Sequence, residues 1–273
     1  MKTPVRGAVL ALALAAQFAF AGDWEWSGPV RLATASCSRF SWVSDLPMAP
    51  ETGRLLEHFA VDVLRLPGSG IHRWDNGSAE DFIRWLEELS RNGDPQTTLI
   101  LWFSTHQKED GRMKFSEGPD LAPSDLVAAL NRVAASYARL LFMNDSCHAA
   151  ALERVRGFRE NVVRLHASRE REEAADVEFS KAPFGVERFS REARADLRGK
   201  MRWDPPGMTL MGLFLLEGGR RAARDASSVD LQELVAAMNA SRDRFEAEVR
   251  QARPQRLVLA PADANFELVR RKP

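Results

Sequence analysis

The chain has 273 residues, and its 38 lysines and arginines balance 38 aspartates and glutamates. That neutrality gives no support for nucleic acid or an anionic membrane surface as a partner. The length suits one large α/β domain or two small ones and buries a full core without disulfide staples, which excludes a cysteine-stapled mini-domain.

Lys2 and Arg6 precede an apolar run, Gly7 to Phe20, interrupted only by Gln17, and Ala19-Phe20-Ala21 has the small-x-small form of a signal peptidase site. Residues 1–21 therefore read as a cleaved secretory signal, leaving 22–273 as the mature protein, secreted or periplasmic, with an uncleaved N-terminal anchor as the alternative. The run is shorter than the roughly 20 residues a spanning helix needs, and no later segment is long and apolar enough, so no membrane association is expected after cleavage.

Val30–Ser36 is an apolar-rich run that fits a buried strand and ends at Cys37. Glu51–Leu66 follows with Leu55, Leu56, Phe59, Val63 and Leu66 at helical spacing. Ile71–Trp74 fits a short strand, after the Gly68–Gly70 turn, which lacks the third glycine of a nucleotide-binding loop. Ser78, with Asp81 three residues on, caps a helix whose apolar face is Phe82, Trp85, Leu86 and Leu89, ending at Asn92-Gly93. Thr97–Phe103 is the strongest strand, Gly111–Phe115 suggests a small hairpin, and Ser124 caps a third helix running to Val133. Leu140–Met143 is the next core strand, with Asn144, Asp145 and Ser146 before Cys147. Ala149–Phe158 reads as a helix, Asn161–Ala167 as a strand, Arg169–Asp176 as a polar surface loop, and Thr209–Gly218 as a buried helix or strand–helix pair. Leu231–Val249 is a long amphipathic helix, and Arg256–Ala260 and Phe266–Val269 close the chain as strands.

Strands alternating with helices, and strands apolar throughout, imply a three-layer α/β/α sandwich around a mostly parallel sheet covered on both faces. In such sheets chemistry sits beyond the carboxyl ends of the strands. Cys37, His106 and Cys147 each lie just past such an end. A thiol nucleophile needs an imidazole as base or counter-ion, and the crossover between two parallel neighbours can bring His106 to Cys147. The backbone N–H groups of Cys147 and Gln107 would then meet the substrate oxyanion. With only two cysteines in an exported chain, a Cys37–Cys147 disulfide is the competing reading. His58, His72 and His166 have no metal-ligand spacing, so no zinc site is expected, and thiol–imidazole chemistry requires no metal or cofactor.

The stretches "WFSTHQ" and "LLFMNDSCHAA" resemble the two catalytic segments of caspase-fold (clan CD) cysteine peptidases, and Asp145-Ser146-Cys147-His148 is the metacaspase form. Gly111–Phe115 and Tyr137–Cys147 are similar to the legumain-like branch that includes the GPI transamidase catalytic subunit. The stretches "GLFLLEGGRRAARDASSVDLQELVAAM" and "RPQRLVLAPADANFELV" resemble the closing elements of bacterial caspase-like domains. The resemblance spans roughly 30 to 270. It implies a caspase-like fold and a cysteine endopeptidase or transpeptidase acting on a protein or peptide, with Cys147 as nucleophile and His106 as its partner. It also implies Asp145 as the acid of the primary specificity pocket. The sequence departs from the family where Thr105 and Gln107 replace the glycines flanking the histidine, Ala149-Ala150 replace Ser-Gly, and Ser38–Asp45 lacks the asparagine that orients the histidine in legumain-like enzymes. These departures keep open a second reading, a weak or inactive caspase-fold protein that binds a peptide or protein partner.

Overall fold

The computed structural model of the chain describes residues 24–41, 43–178, 191, 206–223, 226–249 and 255–271. The expected signal segment, 1–21, and Trp42 lie outside the described residues. A six-stranded sheet is built from β2 (Val30–Ser36), β3 (Ile71–Asp75), β4 (Thr98–Ser104), β5 (Arg139–Asn144), β6 (Val162–His166) and β10 (Val258–Ala260), in the order β10-β6-β5-β4-β2-β3. Its first five strands in the chain are mutually parallel and β10 runs antiparallel to β6. A small antiparallel sheet pairs β1 (Trp24–Trp26), β11 (Glu267–Arg271) and β9 (Ser228–Asp230), and β7 (Asp176–Glu178) pairs β8 (Gly207–Thr209).

The strands are apolar on both faces because both faces are covered. Along β4, Leu99, Leu101 and Phe103 pack against α2 (Ala79–Arg91) and α3 (Pro123–Ala134), through side chains such as Phe82, Leu86, Leu126 and Leu130. Ile100 and Trp102 face the other way, toward α1 (Met48–His58), α4 (Leu210–Ala222) and α5 (Leu231–Glu248). Leu140 and Phe142 of β5 join the first layer, Leu141 and Met143 the second. The alternation is the period-two geometry of a strand, and it makes the three-layer α/β/α sandwich that the sequence implies.

Helix boundaries show where local chemistry decided. Ser78 and Asp81 form the expected capping box: the Asp81 N–H donates to Ser78 Oγ at 3.1 Å and the Ser78 N–H to Asp81 Oδ2 at 3.3 Å. By contrast α3 starts one residue before Ser124, at Pro123, with Ala122 as an N-cap that lends no side chain. Proline at the first helical position presets φ and has no N–H to satisfy, so it replaces the expected serine cap. The expected helix at Ala149–Phe158 shrinks to a 3-10 segment, Ala149–Arg154, between two left-handed residues, His148 (φ 53°) and Gly157 (φ 99°). Its first two amides are taken across the chain, Ala149 N–H by Ser168 Oγ at 2.9 Å and Ala150 N–H by the Ser168 carbonyl at 3.1 Å.

A polar cluster closes one side of β6. Arg164 grips Glu153 with Nε at 3.0 Å and Nη2 at 2.7 Å, its guanidinium lies 4.1 Å from the centre of the Phe158 ring, and the wholly buried His166 donates Nε2–H to Glu153 Oε1 at 2.7 Å. Burial works to raise the Glu153 carboxyl, but the hydrogen bonds from His166 and Arg164 outweigh it and hold the group down at about 2. Burial also pushes His166 below its ordinary value, against the hydrogen bond to Glu153, so the imidazole is neutral at neutral pH. Both pKa values are depressed in the folded state, so in acid the unfolded chain binds more protons than the native one. Stability is fully present above the ordinary histidine value, falls as pH drops below about 6.5, and falls again from 4.5 toward about 2. The Glu153 contribution is on the order of 3 kcal/mol. Urea midpoints measured from pH 7 to pH 3 are expected to show this decline. Glu153→Gln should be less stable at pH 7 and lose less stability below pH 4.5, and an unchanged acid limb would refute the assignment.

Candidate active site

The strand ends of the parallel sheet are level. Ser36 is in register with Ser104, Phe103 with Asn144, and Asn144 with His166. His106 and Cys147, which follow β4 and β5, therefore leave the same rim of the sheet from neighbouring strands. Hydrogen bonds join their loops directly. The Asp145 N–H continues the ladder to the Phe103 carbonyl at 2.8 Å, the Thr105 N–H donates to Ser146 Oγ at 3.3 Å, and Asn144 Nδ2 donates to Gln107 Oε1 at 2.9 Å.

His106 is half-buried, with Phe40 against its ring at 4.8 Å between centroids. Its Nε2 lies 2.8 Å from the Ser44 carbonyl oxygen. A carbonyl can only accept, so Nε2 carries the hydrogen and, in the neutral ring, Nδ1 holds the lone pair. Ser44 belongs to the segment after β2, Ser38–Asp45, and it holds the ring by a main-chain carbonyl and not by a side chain. That segment is itself fixed: Asn76 Oδ1 accepts from the N–H groups of Ser38 and Arg39 at 2.9 and 3.0 Å, and Asp45 Oδ1 from the Phe40 N–H at 3.0 Å. No side-chain motif reports a carbonyl, so sequence reasoning missed Ser44.

Beyond His106 the expected hairpin forms. The Lys114 N–H donates to the His106 carbonyl at 2.8 Å, the Lys108 N–H donates to the Arg112 carbonyl at 2.9 Å, and the Thr105 hydroxyl caps the Lys114 carbonyl. Between these bonds Gln107 faces Met113 as a pair that exchanges none, so the Gln107 N–H points out of the hairpin. Among the described non-glycine residues only Arg65, Asn76 and His148 have positive φ. Gln107 thus occupies ordinary backbone space, and the site does not use the conformational freedom of the glycine it replaces.

After β5, Asn144, Asp145 and Ser146 are all buried and Cys147 is half-buried. Its Sγ lies 3.7 Å from the Ala174 carbonyl. His148 is held by the segment after β6: its N–H donates to the Glu172 carbonyl and its Nδ1 to the Glu170 carbonyl, each at 2.8 Å. Ser168 Oγ donates to the Ser146 carbonyl at 2.9 Å. The polar stretch after β6, read as a surface loop, is therefore a strap along the cysteine loop. Asp145, 2 % exposed, accepts on Oδ2 from Trp102 Nε1 at 3.1 Å and from Thr209 Oγ1 at 2.5 Å. Thr209 is also the N-cap of α4, accepting from the Gly212 N–H at 3.1 Å. Trp102 and Thr209 are two more partners that the motif alone did not show.

Cys37 and Cys147 are not joined, which corrects the disulfide reading. Cys37 is fully buried at the end of β2, against Ser116 and Thr105, while Cys147 faces Ala174. Burial pushes the Cys37 thiol up to about 11, so it is an inert packing group. Among the described residues no three of histidine, cysteine, aspartate and glutamate group as metal ligands, and no helix is long and apolar enough to cross a membrane.

No family model and no curated protein matches the sequence. Solved structures do match the fold. Caspase-1 from Spodoptera frugiperda superposes with a TM-score of 0.57 over 86% of this chain and 89% of that one, at 10% identity. The pro-sf-caspase-1 structure superposes with a TM-score of 0.51 over 86% of this chain and 92% of that one, again at 10% identity. At such identity the likeness is one of architecture: this chain has the caspase fold.

Proposed function

We propose that the protein is an exported cysteine endopeptidase, or a transpeptidase of the same chemistry, that acts on a protein or peptide through Cys147 and His106. The observation that carries this reading is the placement of the thiol and the imidazole on touching loops at one rim of the sheet, with His106 Nε2 pinned to Ser44 so that Nδ1 is left as the base. Export to the periplasm or the medium rests on the residue pattern of 1–21.

In the proposed reaction the Cys147 thiol gives its proton to His106 and sulfur bonds to the scissile carbonyl carbon. The oxygen that becomes negative is met by the N–H groups of Cys147 and Gln107. The Gln107 N–H faces out of its hairpin, and the Phe103 carbonyl and the Thr105 N–H just before it in the chain engage the β5 loop. The C–N bond then breaks, the leaving amine takes the proton back from His106, and a thioester remains. Water, deprotonated by His106, releases the acid and restores the thiol. A second amine in place of water gives transpeptidation. Asp145 is proposed, from the metacaspase-like form of its Asp-Ser-Cys-His stretch, to set a preference for a basic side chain next to the scissile bond; its carboxylate is buried and held by Trp102 and Thr209.

One observation favours the second reading, a caspase-fold protein that binds a partner without cleaving it. The Cys147 thiol donates to the Ala174 carbonyl, so in this geometry the sulfur is engaged by main chain. Alkylation separates the two. Reduced mature protein treated with iodoacetamide or a peptidyl acyloxymethyl ketone is expected to be labelled at Cys147 faster than a free cysteine peptide, and His106→Ala should abolish the advantage. A ketone with arginine or lysine at P1 should lose its lead over one with leucine in Asp145→Asn. Labelling no faster than the peptide would sink the peptidase reading and leave the binding one.

A further inference from the structure

Gln107 is 4 % exposed and its side chain turns inward. Its Oε1 accepts from Asn144 Nδ2 at 2.9 Å, and its Nε2 donates to the His148 carbonyl at 3.4 Å. One side chain therefore holds the cysteine loop both before and after Cys147. Asn144 is fully buried and its Nδ2 also donates to the Ala149 carbonyl at 3.3 Å, tying the end of β5 to the residue beyond His148. His148 needs the help. It has a left-handed backbone (φ 53°, ψ 25°), which a side chain with a Cβ adopts reluctantly. Its N–H is held by Glu172, and its carbonyl by Gln107.

We infer that Gln107 and Asn144 form an amide clamp that fixes Cys147 relative to the outward N–H of Gln107, so that Gln107 is a positioning residue through its side chain. The inference rests on the peptidase reading for its effect on cleavage, but not for its effect on the loop. A glycine at this position would supply the N–H alone. Glutamine supplies the same N–H and a brace for the loop opposite it, and both of its bonds are between neutral groups, so the brace does not depend on pH near neutrality.

Three variants test it. Gln107→Gly keeps the N–H and removes the brace, Gln107→Met keeps the bulk and removes both hydrogen bonds, and Gln107→Glu keeps the acceptor for Asn144 and removes the donor to His148. In all three, amide exchange over residues 145–149 is expected to speed up about tenfold or more, while exchange in β4 and β5 stays slow. If the protein cleaves peptides, kcat is expected to fall about ten- to a hundredfold with KM little changed, because misplacement by about 1 Å carries that cost. Gln107→Met is the deciding variant because it preserves packing. Wild-type exchange at 145–149 in Gln107→Met would overturn the clamp. Faster exchange there would uphold it even if the wild-type protein cleaves nothing, a result that would count against the peptidase reading alone.

Discussion

Replacing Cys147 by alanine is expected to reduce peptide cleavage to background, and replacing His106 by alanine to slow it by about two to four orders of magnitude. The two losses have different origins. Without sulfur no thioester forms and the reaction has no covalent route. Without the imidazole the nucleophile remains, but no group takes the thiol proton or returns it to the leaving amine. The double variant should be no worse than Cys147→Ala, since the two residues act as a unit. Neither change should unfold the protein, because both side chains are half-buried at the rim and outside the two main cores. Turnover of a fluorogenic peptide library, read with thermal melts of each variant, checks this. Cleavage that persists in purified Cys147→Ala would show that the activity lies elsewhere.

The second large effect concerns stability. Trp102 is 1 % exposed at the centre of the sheet, in register with Thr34 on β2 and Met143 on β5. Gly53 on α1 admits it: a Cβ there would come within 3.2 Å of Trp102 Cζ3. Trp102→Ala is expected to cost about 3–5 kcal/mol for the cavity, and about 1–3 kcal/mol more because Asp145 Oδ2 loses a donor. That sum is a large part of the roughly 5–15 kcal/mol that holds a typical domain. Trp102→Phe keeps most of the volume and should show mainly the lost hydrogen bond. Urea midpoints would place the variants in the order wild type, Phe, Ala. An alanine variant as stable as wild type would mean that the aromatic packing on this face contributes little. Asp145 lies two residues before Cys147, so Trp102→Phe should also lower cleavage at unchanged fold.

The core strands were legible because each is a short run of apolar residues with two covered faces. Thr98–Ser104 could be little else, and its neighbours followed by the same logic. The Ser78 cap was legible because a side chain carries it. The start of α3 was misplaced because Pro123 does the work expected of Ser124. Ala149–Arg154 misled for another reason: its composition suits a helix, but His148 and Gly157 bracket it in left-handed backbone. At the rim, His106 and Cys147 could be picked out as residue types at strand ends. What orients them could not, because it is main chain: the carbonyls of Ser44 and Ala174, and the strap past Ser168. Gln107 was legible only as a departure from glycine. The structure turns that apparent defect into contacts, because its backbone never needed the missing freedom.

The groups of the candidate site come from far apart in the chain. Ser44 lies between β2 and α1, His106 after β4, Cys147 after β5, Ala174 before β7, and Thr209 at the head of α4. No fragment shorter than residues 44–209 contains them all. Strand pairing between distant segments is the slow part of folding, so His106 and Cys147 are expected to reach a common rim only after the central strands have assembled. A chain still unfolded on its way across a membrane would carry Cys147 as an ordinary thiol. Reactivity would then appear only where folding is completed, and the order of assembly would itself confine the chemistry to the final compartment.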